Sequence, residues 1–275
     1  MIVSVSRRCD IPRFKFDWFI ERLNEGFVDV TNPYNSKQIK RVSLVKENVD
    51  AFVFWTRDPN RILANADELT KRGYPFYVMV SLTGYPNVLE PNQAVVSEVL
   101  KSMKELAQKI GKERVIWRYD PVILTDITND EFHWRKFNEL AQELASSVQR
   151  VIISVYDEYK RAAKRLGELE KKGRLKLLNM DSDNLRGVLL GLNEIARANN
   201  MEIQSCAEKE DFSSIGIKSG ACIDAALIEK ICGAPFNCAQ AARDKNQRPN
   251  CLCCQSVDIG AYNTCAAHCV YCYAS

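Results

Sequence analysis

Six short apolar runs, each followed by a longer amphipathic stretch, constrain the fold of this chain more than any other feature. Strand followed by helix, repeated, is typical of a parallel sheet, because each parallel crossover needs a dozen or more residues. Runs such as "AFVFW" and "VIISV" are apolar without interruption, as expected for strands covered on both faces. Residues 27–48 interrupt the alternation and predict a short hairpin. The predicted strands lie within residues 1–8, 49–59, 74–85, 113–121, 149–160 and 201–208.

Polar side chains recur directly after these runs, where the carboxyl ends of parallel strands would lie. An open doubly wound sheet and an α/β barrel both fit the alternation, but in barrels this end of the strands carries the active site. Because arginines follow the first, second and fourth strands, we predict a partial or full TIM-type (β/α) barrel over residues 1–235. Residues 236–275 are then predicted to be a cysteine-rich segment at the mouth of the barrel.

These strand-end residues are candidates for binding a cofactor or substrate. A guanidinium can bind a carboxylate through two parallel hydrogen bonds, so several arginines at one mouth favour an anionic substrate. Each candidate also has a local alternative, such as an Arg118–Asp120 pair that stabilises the turn before Pro121. The candidates are Arg7, Arg8, Thr56, Arg57, Arg118 and Asp120.

The cysteines are concentrated at one end of the chain: ten of the eleven follow residue 200. A secreted disulfide scaffold is short and has cysteines throughout, so metal binding in a reducing compartment explains the cluster better. The net charge of +3 is too small to indicate a nucleic-acid partner. With no signal-peptide pattern and no apolar run of about 18 residues, we expect a cytoplasmic protein without a membrane partner.

Three of the cysteines, Cys265, Cys269 and Cys272, form a C-x3-C-x2-C motif. Three thiolates leave one coordination position without a local ligand. For zinc, the fourth ligand would be His268 or one of three nearby cysteines, Cys251, Cys253 and Cys254. In a cubic iron–sulfur cluster, three thiolates hold three irons and leave the fourth iron open to a small molecule.

The stretch "NTCAAHCVYCYA" resembles the radical S-adenosylmethionine superfamily, which has this spacing and commonly an aromatic residue, here Tyr271, before the last cysteine. The resemblance implies an α/β barrel and a [4Fe-4S] cluster that chelates S-adenosylmethionine. It also implies reductive cleavage of that cofactor to a 5′-deoxyadenosyl radical, with electrons from flavodoxin or ferredoxin. Tyr271 would pack near the adenine.

The motif ends this chain, whereas in most of that superfamily it follows the first strand. We predict that "VDIGAYNT" (257–264) contains a short strand leading into the cluster loop, so that the barrel is permuted or the C-terminal tail lies across its mouth. Along its whole length the chain also resembles the bacterial family called domain of unknown function 1848. The matching motifs include "SRRCDIPRF", "VFWTRDP", "ERVIWRYDP", "GACID" and "DIGAYNTC".

A second set of cysteines, Cys206, Cys222, Cys251 and Cys253, is predicted to form another site with all four positions closed. We expect an auxiliary [4Fe-4S] cluster there; the alternatives are structural zinc that fastens the C-terminal segment, and buried free thiols. Cys254 is an alternative to Cys253.

The remaining cysteines and histidines are weaker candidates. Cys232 and Cys238 form a possible pair that we expect to be helix packing, and neither Cys9 nor His133 is expected to be a ligand.

Two other classes of function compete with the radical enzyme. One is a zinc-binding structural or interaction protein whose partner contacts the cysteine-rich tail. The other is an iron–sulfur protein for electron transfer or redox sensing without S-adenosylmethionine.

Overall fold

The computed structural model describes residues 1–180, 182–233 and 242–274. Ten strands lie in these ranges; six of them coincide with the six predicted apolar runs, and two others form the predicted hairpin. The strands are β1 (Ile2–Val5), β2 (Phe27–Asn32), β3 (Asn35–Ser43), β4 (Ala51–Thr56), β5 (Phe76–Ser81), β6 (Val115–Val122), β7 (Arg150–Val155), β8 (Glu202–Cys206), β9 (Lys218–Gly220) and β10 (Val257–Asp258).

Eight α-helices alternate with these strands in the described residues. They are α1 (Ile11–Phe14), α2 (Phe16–Glu25), α3 (Asn60–Lys71), α4 (Val96–Ile110), α5 (Asp130–Leu144), α6 (Lys160–Lys171), α7 (Ser182–Ala198) and α8 (Ala225–Cys232). The longer helices are amphipathic, so each buries one side against the sheet. The one-turn helix α1 and the three-residue strand β9 give no periodic signal in the sequence.

Eight of the strands form one sheet, in the order β10-β1-β4-β5-β6-β7-β8-β9, and all of its pairs are parallel. The predicted parallel α/β fold is therefore confirmed. The predicted short strand in 257–264 is also confirmed, because β10 pairs with β1 through Val3 opposite Val257. Over the described ranges, β9 and β10 are the edges of the sheet and do not pair with each other, so no closed barrel is observed.

The two faces of the sheet pack against different parts of the chain. On one face, alternate residues such as Phe54, Val78 and Trp117 pack against the helices and form the large core. On the other face, Val53, Met79 and Ile152 pack against α8 and against the cysteines that follow β8 and precede β10. The cysteine-rich segment is therefore part of the core of the sheet and carries its edge strand β10.

His133 lies on α5 and is fully buried. Its Nδ1 lies 2.9 Å from the Tyr119 hydroxyl and its Nε2 lies 3.1 Å from the Ile123 carbonyl. Because a carbonyl only accepts, Nε2 carries the proton and Nδ1 accepts from the tyrosine. Burial disfavours the charged ring and lowers the pKa of His133 from 6.5 to about 4.

We expect this histidine to make the fold acid-sensitive between pH 6.5 and 4. In that window His133 binds a proton in the unfolded chain but not in the folded chain. The free energy of unfolding therefore falls as the pH falls, by about 3 kcal/mol in total. Urea unfolding of wild type and His133→Gln at pH 7 and pH 4 isolates this contribution. The difference between the two proteins should shrink by about that amount at pH 4; an unchanged difference would contradict the assignment.

None of the helices in the described ranges is long and apolar enough to cross a membrane.

Candidate metal centres at the strand ends

The junction between β10 and the end of β1 is built around the buried carboxylate of Asp258. Its oxygens accept hydrogen bonds from the hydroxyls of Ser4 and Ser6, at 2.8 and 2.6 Å, and from the backbone N–H of Arg7 at 2.8 Å. The Gly260 N–H donates to the same carboxylate at 3.0 Å. These bonds fix the path of the chain into the terminal cysteine loop. Sequence reasoning missed Asp258, because nothing local marks it as a partner for residues some 250 positions away.

The structure places Arg7 and Arg8, both predicted to bind ligand, against this same segment. Arg7 donates to the Ser256 hydroxyl at 3.2 Å, and its Nε lies 3.7 Å from Asp258. Burial lowers the pKa of Arg7 more than any single neighbour raises it, but the charges of Asp258, Cys253, Tyr273 and Asp244 together outweigh burial, and the pKa is raised. Arg8 donates to the Gly260 carbonyl at 3.3 Å and lies over the Tyr262 ring. Both arginines thus hold the C-terminal segment to β1.

Replacing Gly260 by alanine is expected to disrupt this junction. A Cβ there would lie 2.0 Å from Ser6 Oγ and 2.6 Å from Ser6 Cβ, which forces Ser6 away from Asp258. Such overpacking costs about 1–3 kcal/mol. Gly167→Ala in α6 is the matched control, since its Cβ would meet nothing within 4 Å and alanine favours a helix by up to about 1 kcal/mol. In urea unfolding, Gly260→Ala should therefore be less stable than wild type and Gly167→Ala more stable. Equal stabilities of the two variants would contradict this account.

Asp10 and Thr56 form a second buried group, beside the first cysteine of the terminal motif. Asp10 caps α1 by accepting from the Arg13 N–H at 3.0 Å, and it also accepts from the Arg57 N–H at 2.8 Å. Burial raises the pKa of Asp10 to about 6. The Thr56 hydroxyl donates to the Asp58 carbonyl and accepts from the Asp58 N–H. These bonds set the turn that aims Arg57.

Arg57 is buried in an ion pair with Glu90, at 2.5 Å, and the Glu90 side chain has no exposed surface. Glu90 also accepts hydrogen bonds from the Thr83 hydroxyl, at 2.6 Å, and from the Tyr271 hydroxyl. Arg57 donates to that tyrosine oxygen as well, at 3.2 Å. Tyr271, predicted to lie near a bound adenine, is therefore fixed by its hydroxyl to the ends of two strands. Glu90 was missed by sequence analysis, because it lies in the loop after β5, several residues beyond the end of the predicted strand 74–85.

The backbone of the terminal cysteine loop is hydrogen-bonded to the loop after β5 and to helix α6. The Val270 N–H donates to the Leu89 carbonyl at 2.9 Å, and Arg165 donates to the Val270 carbonyl at 2.8 Å and to the Cys272 carbonyl. The side chain of Asn92 donates to the Ala266 carbonyl at 2.9 Å. The loop thus has a defined position over the carboxyl ends of the strands.

The three cysteine thiols of this loop differ in burial and in the hydrogen bonds that their sulfurs accept. Cys265 accepts hydrogen bonds from the backbone N–H groups of Asp10 and Ala267, although burial still raises its pKa. Burial raises the pKa of Cys269 to about 12; the Arg57 charge opposes that shift, and the charges of Glu90, Cys272 and Cys265 add to it. The Ala274 N–H donates to Cys272 Sγ at 3.3 Å. Backbone N–H donors next to two sulfurs suit thiolates that carry negative charge.

Arg118 and Asp120 pair with each other, as the local alternative predicted. Asp120 also accepts a hydrogen bond from the Ser154 hydroxyl. The guanidinium of Arg118 lies 4.8 Å from the centre of the Trp55 ring. Arg118 Nε and Trp55 Nε1 are both buried, and neither finds a hydrogen-bond acceptor within the described residues. These two unsatisfied donors, on the strands β4 and β6 that flank β5, provide an unused capacity to bind an anion.

Thiols of the second set of cysteines contact one another. The Sγ atoms of Cys206 and Cys222 are 3.1 Å apart. Cys253 interacts directly with the thiols of Cys222 and Cys251, and these contacts lower the pKa of Cys253. Of the two adjacent candidates, Cys253 is the member of the set, since Cys254 contacts the Ile223 carbonyl at 3.4 Å instead.

Cys232 and Cys9 belong to neither of these two thiol groups. Cys232 contacts the Asp50 carbonyl at 3.4 Å, and Cys9 packs in the helix-side core. His268 is exposed in the terminal loop. Cys238 lies outside the described residues. Within those residues, no group of three or more histidine, cysteine, aspartate or glutamate side chains is already arranged to hold a metal ion.

Comparison with known proteins identifies the family of this chain but no activity. Among solved structures, the chain is similar to a putative alpha-L-fucosidase from Bacteroides thetaiotaomicron VPI-5482, at 10% identity and a TM-score of 0.31 over 69% of this chain and 73% of that one. It is also similar to a deoxyribose phosphate aldolase from Aeropyrum pernix, at 12% identity and a TM-score of 0.31 over 82% of each chain. Such low TM-scores carry no argument about function. No curated protein matched. The family model described as "Domain of unknown function (DUF1848)" matches residues 2–274, and the chain therefore belongs to that family.

Proposed function

We propose that this protein is a radical S-adenosylmethionine enzyme built on a partial, permuted (β/α) barrel. The observation that carries the proposal is the position of the C-x3-C-x2-C loop. Its three thiols influence one another electrostatically on a loop held over the carboxyl ends of parallel strands, and a short strand, β10, leads into it. Catalytic groups of α/β barrels are found at this end of the strands.

The residues present fit a [4Fe-4S] cluster with one open iron. Cys265, Cys269 and Cys272 supply three soft thiolate ligands. His268 is exposed, and Cys251 and Cys253 belong to the other thiol group, so no fourth ligand for the loop is evident among the described residues. When bound, such a cluster supplies the electron that cleaves S-adenosylmethionine to a 5′-deoxyadenosyl radical. A flavodoxin or ferredoxin is the expected electron donor.

The chain's own groups would position the loop and the substrate. Arg57 and Glu90 fix the Tyr271 hydroxyl, which leaves the position of the loop independent of bound ligand. The unsatisfied donors of Arg118 and Trp55 support an anionic group of the substrate or of the cofactor. Arg7 and Arg8, by contrast, are engaged by the C-terminal segment, so we assign them a positioning role.

The proposal is tested by purifying the protein without oxygen and reconstituting it with iron and sulfide. Chemical reduction in the presence of S-adenosylmethionine should then yield 5′-deoxyadenosine. Brown protein that binds iron but forms no 5′-deoxyadenosine would point instead to electron transfer or redox sensing. Colourless protein with zinc at the terminal motif would point to a structural or interaction role, and either result would refute the enzyme.

A further inference from the structure

We propose that Cys206, Cys222, Cys251 and Cys253 form a tetrathiolate site for one metal ion, zinc, rather than for a second iron–sulfur cluster. The site is distinct from the terminal motif and does not depend on the reaction proposed above. Its basis is the distance between the sulfurs.

Sulfur–sulfur distance separates a single ion from a cubic cluster. Four thiolates around one zinc, each bonded at about 2.3 Å, place their sulfurs about 3.8 Å apart. In a [4Fe-4S] cluster each thiolate binds a different iron and points outward, so the sulfurs are roughly 6 Å apart. The observed distance between Cys206 and Cys222 is 3.1 Å. To admit one ion, this pair needs to open by only about 0.7 Å, whereas a cubane requires the distance to double.

The other two cysteines continue the same compact arrangement. Cys253 is in direct thiol contact with Cys222 and with Cys251, so every member of the set contacts another. Backbone N–H groups also point at the sulfurs: Ile223 donates to Cys253 Sγ at 3.3 Å, and Cys253 donates to the Cys251 sulfur. Hydrogen bonds of this kind orient ligands and stabilise thiolate charge around a metal.

Charge around the set suits a dianionic site. Four thiolates and one divalent cation leave a net charge of −2. Three arginines are close enough to affect the thiols electrostatically: Arg118 and Arg248 at Cys206, and Arg7 at Cys253. Buried charge is stable only where it is paired, so these cations are what a metal-loaded site requires.

The ligands come from three separate parts of the chain, which gives the ion a structural role. Cys206 ends β8, Cys222 precedes α8, and Cys251 and Cys253 lie shortly before β10. Strands β8 and β10 are near opposite ends of the strand order. One ion would therefore fasten the segment that carries β10 and the terminal loop to the other side of the sheet.

Metal analysis of the whole chain tests the proposal. The protein as purified should contain about one zinc, and Cys222→Ser and Cys253→Ser should each lower that to near zero. Cys254→Ser is the matched control, since this adjacent buried thiol lies outside the set, and it should retain the zinc. Alanine at Cys265, Cys269 and Cys272 should also leave the zinc in place, so a failure of the enzyme proposal is distinguishable from a failure of this one.

A spectroscopic measurement covers the case in which serine variants do not fold. Wild-type protein loaded with Co²⁺ should show the intense visible absorption of tetrahedral cobalt with four thiolates. Absence of both zinc and cobalt binding would overturn the proposal. So would iron and sulfide at about four each per chain, in addition to those of the terminal motif and lost in Cys222→Ser.

Discussion

Alanine at Cys265, Cys269 and Cys272 together is expected to remove about four irons per reconstituted chain and to abolish formation of 5′-deoxyadenosine. The reason is that these three thiols are the protein's ligands to the proposed cluster. Because burial raises the pKa of Cys269 to about 12, that thiol is neutral until a metal binds and displaces its proton. Iron content by chemical assay and product by chromatography measure the two losses separately.

A double variant, Cys9→Ala with Cys232→Ala, controls for removing thiols in general. Neither residue belongs to the two cysteine groups, and both are free. This control should keep its iron and its cofactor cleavage. Retained cleavage in the triple alanine variant would show that the terminal motif is not the catalytic site, and equal loss in the control would show that the assay reports folding.

The parallel sheet was predictable from the sequence because its signal is local. Each buried strand is a largely continuous apolar run, and an amphipathic stretch between successive runs predicts the crossover helix. Even the short strand β10 was predicted, since it precedes the cysteine loop. In contrast, β9 and α1 are too short to show any periodicity, and their positions follow from what they pack against.

Partners of charged groups were harder to predict, because they are distant in sequence. The arginines Arg7, Arg8 and Arg57 were expected at one polar mouth, but the residues that neutralise them were not. Asp258 and Glu90 lie in unremarkable sequence, and only the fold brings them to the strand ends. An arginine that the sequence suggests is free to bind a ligand is therefore often paired with a carboxylate of the protein itself.

The positions of the cysteines along the chain predicted which thiols belong to one set, but not which metal group that set would bind. The set Cys206, Cys222, Cys251 and Cys253 was identified from position relative to strands and helices. The choice between a single ion and a cubane depends on a difference of about 2 Å between sulfurs, which spacing along the chain does not encode.

Leucine at Arg57 is expected to destabilise the protein by about 3–5 kcal/mol, because it leaves the Glu90 carboxylate buried without its cation. The Glu90 side chain is wholly buried and that of Arg57 is 12% exposed. The matched control is Arg135→Leu, which breaks an exposed pair with Glu139 at 3.1 Å and should cost about 0–1 kcal/mol. Urea unfolding of proteins prepared in the same metal state measures both changes.

A second variant separates loss of the ion pair from loss of packing. If the cost of Arg57→Leu comes from an unpaired buried charge, adding Glu90→Leu should restore part of the stability, since no charge is then left uncompensated. The terminal loop should still lose the anchor of the Tyr271 hydroxyl, because both of its partners are gone. A double variant with the summed cost of the two single changes would mean that the pair is not coupled, and that Arg57 contributes through packing alone.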